Sequence, residues 1–155
     1  MKFYIPFGDY SNDGHGRCYE VLVSAPSMEG LAAAQEAYRQ KYGEYFWRGM
    51  ADEYDNPTIT EEIQQALLDT NYPLERFSVC QDDIEYDNFK TLQEVFESDF
   101  WNSEVERTIT LDTCIDIFIW LLNAAGAQIE KEEDYPSIGW ASDKFECVGY
   151  GCFYG

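Results

Sequence analysis

Residues 110–125 read TLDTCIDIFIWLLNAA. Wound into a helix, this stretch is apolar over most of its circumference, and a helix with no consistently polar face is one that other elements cover on several sides. Gly126 supplies the stop. The stretch is therefore expected to form the central helix, with the remaining elements packed on it.

Toward the C-terminus, EKEEDYP at 130–136 reads as a charged turn, and residues 138–153 as one or two strands punctuated by glycine. On the N-terminal side, Asn88 reads as the cap of a helix over 89–101. In that helix Phe89, Leu92, Phe96 and Phe100 share one face while Lys90, Glu94 and Glu97 look outward. RFSVC at 76–80 has the composition of a short strand. Thr58-x-x-Glu61 has the form of a capping box and opens a helix that sets Ile63, Ala66 and Leu67 on one side, ending near Asn71 ahead of Pro73. The stretch 44–57 mixes aromatics (Tyr45, Phe46, Trp47) with acids (Asp52, Glu53, Asp55), shows no clear period and ends in the loop signal Asn56-Pro57.

Further back, Ser27 caps a helix over 28–42, where Leu31, Ala34, Tyr38 and Tyr42 recur at helical spacing, and Gly43 ends it. KFYIPF at 2–7 and CYEVLVS at 18–24 flank a loop rich in Gly, Asp and Asn and read as a hairpin, with Pro6 marking an edge strand or a strand end. The expected fold class is α+β: a small antiparallel sheet from the N-terminal hairpin and the C-terminal strands, packed against about three to five helices with helix 110–125 central. The even spread of acids favours a single acidic globular domain over 1–155.

Aromatic residues make up 17% and apolar residues 45% of the 155-residue chain, too much for a disordered acidic tail. Against that core stands an unusual charge, 30 Asp and Glu to 10 Lys and Arg, net −20. Such a surface repels nucleic acid and anionic membranes, so direct binding to either is excluded as a function class. The N-terminal MKFYIPFGDY lacks the apolar run of a secretory signal, and no stretch approaches the ~18 apolar residues of a membrane span, which points to a cytoplasmic protein. Five cysteines (Cys18, Cys80, Cys114, Cys147, Cys152) without any C-x-x-C spacing fit reduced, mostly buried thiols.

The sharpest local pattern is DYSNDGHGRCYE at 9–20, which satisfies D-x-[DNS]-x-[DNS]-G-x5-E at every specified place. It resembles the calcium loop of an EF-hand. The resemblance implies side-chain oxygen ligands from Asp9, Ser11 and Asp13, a sharp turn at Gly14, a carbonyl ligand from His15 and a bidentate carboxylate from Glu20, with calcium as the cofactor. The sequence departs from the family in three ways: strand-like flanks, Arg17 inside the loop, and Gly16 in place of an aliphatic residue. The bland alternative is a wide hairpin loop that uses Asp, Asn and Gly for turn geometry. His15 with Cys18, Cys147 and Cys152 has the donor types of a zinc site but lacks the paired short spacings.

A single histidine, no G-x-S-x-G and no phosphate-binding glycine loop leave nucleophilic catalysis little to work with. The residues favour a non-enzymatic role. Acid clusters are the remaining signal: Asp82, Asp83, Glu85, Asp87, Glu94, Glu97, Asp99, Glu104 and Glu106 against Lys90 alone, and a second group of Glu130, Glu132, Glu133 and Asp134. Carboxylates at this density imitate a phosphate backbone, whose charges recur every ~3.4 Å along one strand. In charge and size, though in no motif, the chain is similar to the small acidic inhibitors with which phages and mobile elements counter restriction and CRISPR systems. The expected function is that of an acidic interaction protein engaging a basic partner, a DNA mimic acting on a nucleic-acid-binding protein. The alternatives are a calcium-binding domain or a cytosolic hydrolase built on the 9–20 loop. A solvated, solubilising surface explains the same clusters without any partner.

Overall fold

The computed structural model describes residues 2–8, 18–49, 58–79 and 89–134. Strands β1 (Lys2–Gly8) and β2 (Cys18–Ser24) pair antiparallel from Lys2 opposite Ser24 to Gly8 opposite Cys18. Among the described strands β1 lies at the sheet edge, where Pro6 costs the ladder least. Ser27 then caps α1 (Met28–Tyr42) by accepting a hydrogen bond from the Gly30 amide at 3.0 Å, and Gly43, at φ 127°, ends the helix. A short 3-10 turn follows over Phe46–Gly49.

The capping-box expectation is corrected by two residues. Helix α2 (Glu61–Asp69) is capped by Thr60, whose hydroxyl accepts from the Ile63 amide. Thr58 is held extended instead, bridged to Thr108, while the Ile59 amide bonds the Arg107 carbonyl and the Ile59 side chain is buried. Ending α2 near Asn71 is borne out: Thr70 is the C-cap and Asn71 takes the left-handed conformation at φ 58°. The strand expected over 76–80 reduces to a 3-10 turn at Leu74–Arg76 and one bridge between Val79 and Ile109.

The helix expected over 89–101 is broken. Helix α3 (Leu92–Glu97) is capped by Thr91, and a π-helical turn occupies Phe100–Glu104, with extended backbone at Ser98 between them. Ser98 makes the break locally favourable, because its hydroxyl donates to the Val95 carbonyl and accepts from the Trp101 amide, competing with the helical ladder. Asn88, the expected cap, lies outside the described residues. The apolar face survives the break, with Leu92 and Phe96 buried and Phe89 and Phe100 packed on the core.

Helix α4 (Leu111–Ala124) is central as expected. Thr110 caps it through the Thr113 amide, and Cys114, Ile115, Ile117, Phe118, Leu121 and Leu122 are buried. It packs against both α1 and α2. An aromatic group fixes the α1 side: Tyr38 donates to the Leu121 carbonyl at 2.6 Å, and Trp47 meets Phe118 edge to face at 5.3 Å. Phe77, Phe96 and Trp101 form a second group, with Trp101 reaching the Gln64 side chain of α2 at 3.3 Å.

After α4 the charged turn expected over 130–136 is replaced by strand β3 (Glu130–Asp134), paired antiparallel with β2. The sheet order is β1-β2-β3. Charged composition suits a strand whose outer edge is unpaired by another described strand, since Lys and Glu there discourage further pairing. Residues 138–153 lie outside the described residues. Val23 of β2 and Ile129 before β3 join the helical core, giving the mixed helix-and-sheet fold.

Candidate functional site

The acidic segment 94–106 is mounted on a stiff base. Leu92, Val95, Phe96, Trp101 and Val105 anchor it inward. The Asn102 side chain donates to the carbonyls of Phe96 and Ser98, each at 2.9 Å, and accepts from Arg107 at 2.9 Å, so the π turn is tied across its own width. On this base Glu94, Glu97, Asp99, Glu104 and Glu106 all stand exposed. Glu94 accepts from the Lys90 backbone amide and Glu97 from the Gln93 side chain, both neutral donors.

Among the described residues Arg39 pairs with Glu36, Lys41 with Asp69, Arg76 with Asp116 and Arg107 with Glu61. Exposed acids also occur on α1 (Glu29, Glu36), α2 (Glu61, Glu62) and α4 (Asp112), so the charge is spread widely over the described elements.

Glu130 is exposed at the start of β3, and Glu132, Glu133 and Asp134 belong to the same strand, with Glu133 opposite Leu22 and Asp134 opposite Val21. Helix α3 packs on the π turn and on α2, while β3 packs on β2, so the two acidic groups occupy separate parts of the framework. Asp82, Asp83, Glu85 and Asp87 lie outside the described residues. So do Asp9, Ser11, Asp13 and His15. Glu20 lies in β2 opposite Pro6, and the 9–17 stretch is flanked by strands rather than by the two helices of an EF-hand. Among the described residues no group of three His, Cys, Asp or Glu side chains converges on a common point.

Cys114 is fully enclosed by α4's neighbours, and burial pushes its thiol up to about 12, which makes it a poor nucleophile and a poor ligand. A cluster with the look of chemistry joins Asp116 to Tyr72 and Arg76, with Arg76 also over the Trp120 ring at 5.3 Å. Burial first, and the Asp116 hydrogen bond second, raise the Tyr72 hydroxyl far above its ordinary value. Asp116 is held by its two partners in the geometry of a clasp between α4 and the chain after α2.

One feature lay outside the reach of spacing arguments. A cleft of about 370 Å³ opens between the end of α1 and the start of α2, lined by Tyr42, Gly43, Glu44, Tyr45, Phe46, Thr60 and Glu62. Tyr45, 62% exposed, is the large apolar side chain most open to solvent among the described residues. The aromatic run after Gly43 was its only sequence signal. No helix among the described residues is long and apolar enough to cross a membrane. Compared with protein-family models, with curated proteins and with solved structures, the chain matches none.

Proposed function

We propose that the protein is a non-enzymatic interaction protein whose acidic surface engages a basic partner, acting as a DNA mimic on a nucleic-acid-binding enzyme of the restriction or CRISPR kind. The observation that carries this reading is a net charge of −20 on a chain that fills a large aromatic core. Self-repulsion of that size works against folding, and solubility alone is reached at a net charge of about 2–8 for a small domain. The carboxylates at 94–106 support it further. Glu94, Glu97, Asp99, Glu104 and Glu106 all stand exposed within this one segment.

The test is binding of the protein to Cas9 ribonucleoprotein and to restriction endonucleases between 50 and 300 mM salt, on the order of the range over which phosphate contacts weaken. Binding that falls steeply with salt and is displaced by duplex DNA supports mimicry. No binding to any of these enzymes at the lowest salt overturns it.

A second reading, calcium binding by the 9–20 loop, is favoured by the ligand spacing alone, with Asp9, Ser11, Asp13 and Glu20 at the specified places. A tight site raises the melting temperature with calcium over that with chelator. An unchanged midpoint removes it.

A further inference from the structure

We propose that a second cleft, between the end of α2 and the start of α3, binds a linear aliphatic zwitterion, a hydrocarbon chain with an ammonium at one end and a carboxylate at the other. The cleft has a volume of about 370 Å³, and its whole lining belongs to described residues. One wall comes from α2 and the 3-10 turn after it, the other from the residues that open α3. Leucines from both walls line it: Leu67 and Leu92 are buried, Leu68 and Leu74 half-buried. Glu75 stands on the first wall and Lys90 on the second, both exposed. Among the described residues neither is in an ion pair, with the other or with any third group.

An acid and a base that face one leucine-lined cleft from opposite walls without pairing are complementary to a ligand carrying the same two charges with hydrocarbon between them. The net neutrality of such a ligand matters beside a protein of net −20. The field of the whole molecule repels a lone carboxylate and draws a lone ammonium to any acid, whereas a zwitterion is selected only where both of its charges are met. Both walls are held in place. Asn71, at φ 58°, turns the chain out of α2 while the Tyr72 amide bonds the Leu67 carbonyl at 3.0 Å. Arg76, next to Glu75, is engaged by Asp116 and lies over the Trp120 ring at 5.3 Å, so it is not the partner of the Glu75 carboxylate. On the other wall Thr91 accepts from the Glu94 amide at 3.1 Å. Its hydroxyl proton is donated to no described acceptor and is left for a carboxylate next to Lys90.

The probe is ε-aminocaproate, titrated into the isotope-labelled protein at low salt while backbone amide shifts are followed. Caproate and hexylamine, which each lack one charge, and leucine, whose two charges share one end, are titrated alongside. The expected result is a saturable shift of amides at 74–76 and 90–93, with caproate and hexylamine binding about threefold more weakly, the usual size of one exposed charge contact. Glu75→Gln should make ε-aminocaproate bind no better than caproate, and Lys90→Gln no better than hexylamine. Both side chains are exposed and in no ion pair among the described residues, so amides outside the cleft should keep their wild-type positions in the two variants. No shift at 74–76 and 90–93 overturns the site, as do shifts confined to 94–106, which would mark ammonium capture by the acidic segment. Equal binding of ε-aminocaproate and either singly charged analogue overturns the two-charge recognition, and tighter binding of leucine contradicts the end-to-end arrangement. The 94–106 surface stands or falls separately, since neither Glu75 nor Lys90 belongs to it.

Discussion

Gln35 is the residue at which local chemistry and burial disagree most sharply. It sits on α1, only 1% exposed, and neither atom of its side-chain amide has a hydrogen-bond partner among the described residues, although its backbone carbonyl accepts from Trp47 at 2.9 Å. An unsatisfied buried amide costs about 1–3 kcal/mol, and methionine has nearly the same shape without that cost. Gln35→Met should therefore raise the unfolding free energy by about 1 kcal/mol in urea titration. A loss of stability would show that the amide is satisfied and structural.

Asp69 carries the complementary, exposed case. The Tyr42 hydroxyl first, and the Gln65 amide second, hold its carboxyl below the usual carboxylate range. A depressed folded value means that this stabilisation is present above the unfolded pKa, about 3.9, and is lost as pH falls through the lower folded value. The stability difference between the wild type and Asp69→Asn should be constant at neutral pH and should shrink in acid, checked by urea titrations across that range. A difference that grows on acidification would contradict the assignment.

At the scale of elements, the sequence pattern located most segments and misjudged several ends. The two N-terminal strands, α1 with its Ser27 and Gly43 caps, and the buried α4 were legible because each depends on its own residues: β-branched runs, a capping hydroxyl, an apolar circumference. The start of α2 was not. The capping-box pattern favours Thr58 over Thr60, and the choice is reversed by Thr108 and Arg107, remote residues whose backbone pairs with 58–59. Thr60→Ala should cost about 1 kcal/mol, the usual value of a lost cap. A smaller loss there than in Thr58→Ala, measured by chemical denaturation, would return the cap to Thr58. Strand β3 escaped notice because its acids read as a turn, whereas pairing with β2 is a long-range fact. The Tyr45 cleft escaped for the same reason, being formed by the meeting of two helix ends rather than by any one stretch.

At the scale of the whole molecule, the charge was legible at once and its arrangement was not. Composition gives the net of −20, but only folding decides that the carboxylates at 94–106 stand exposed on a braced helix and π turn. A functional surface and a merely solubilising one then differ in a single respect: whether the position of the charge matters. Two triple variants remove the same charge from different places, Glu94→Gln/Glu97→Gln/Asp99→Asn on the braced segment and Glu29→Gln/Glu36→Gln/Asp112→Asn on α1 and α4. All six positions are exposed. The most direct measurement is the affinity and salt slope of both variants for the nuclease that binds the wild type. The account predicts at least tenfold weaker binding and a shallower slope for the first variant only, as expected when specific phosphate-like contacts are lost. Equal weakening of both, or of neither, would contradict it.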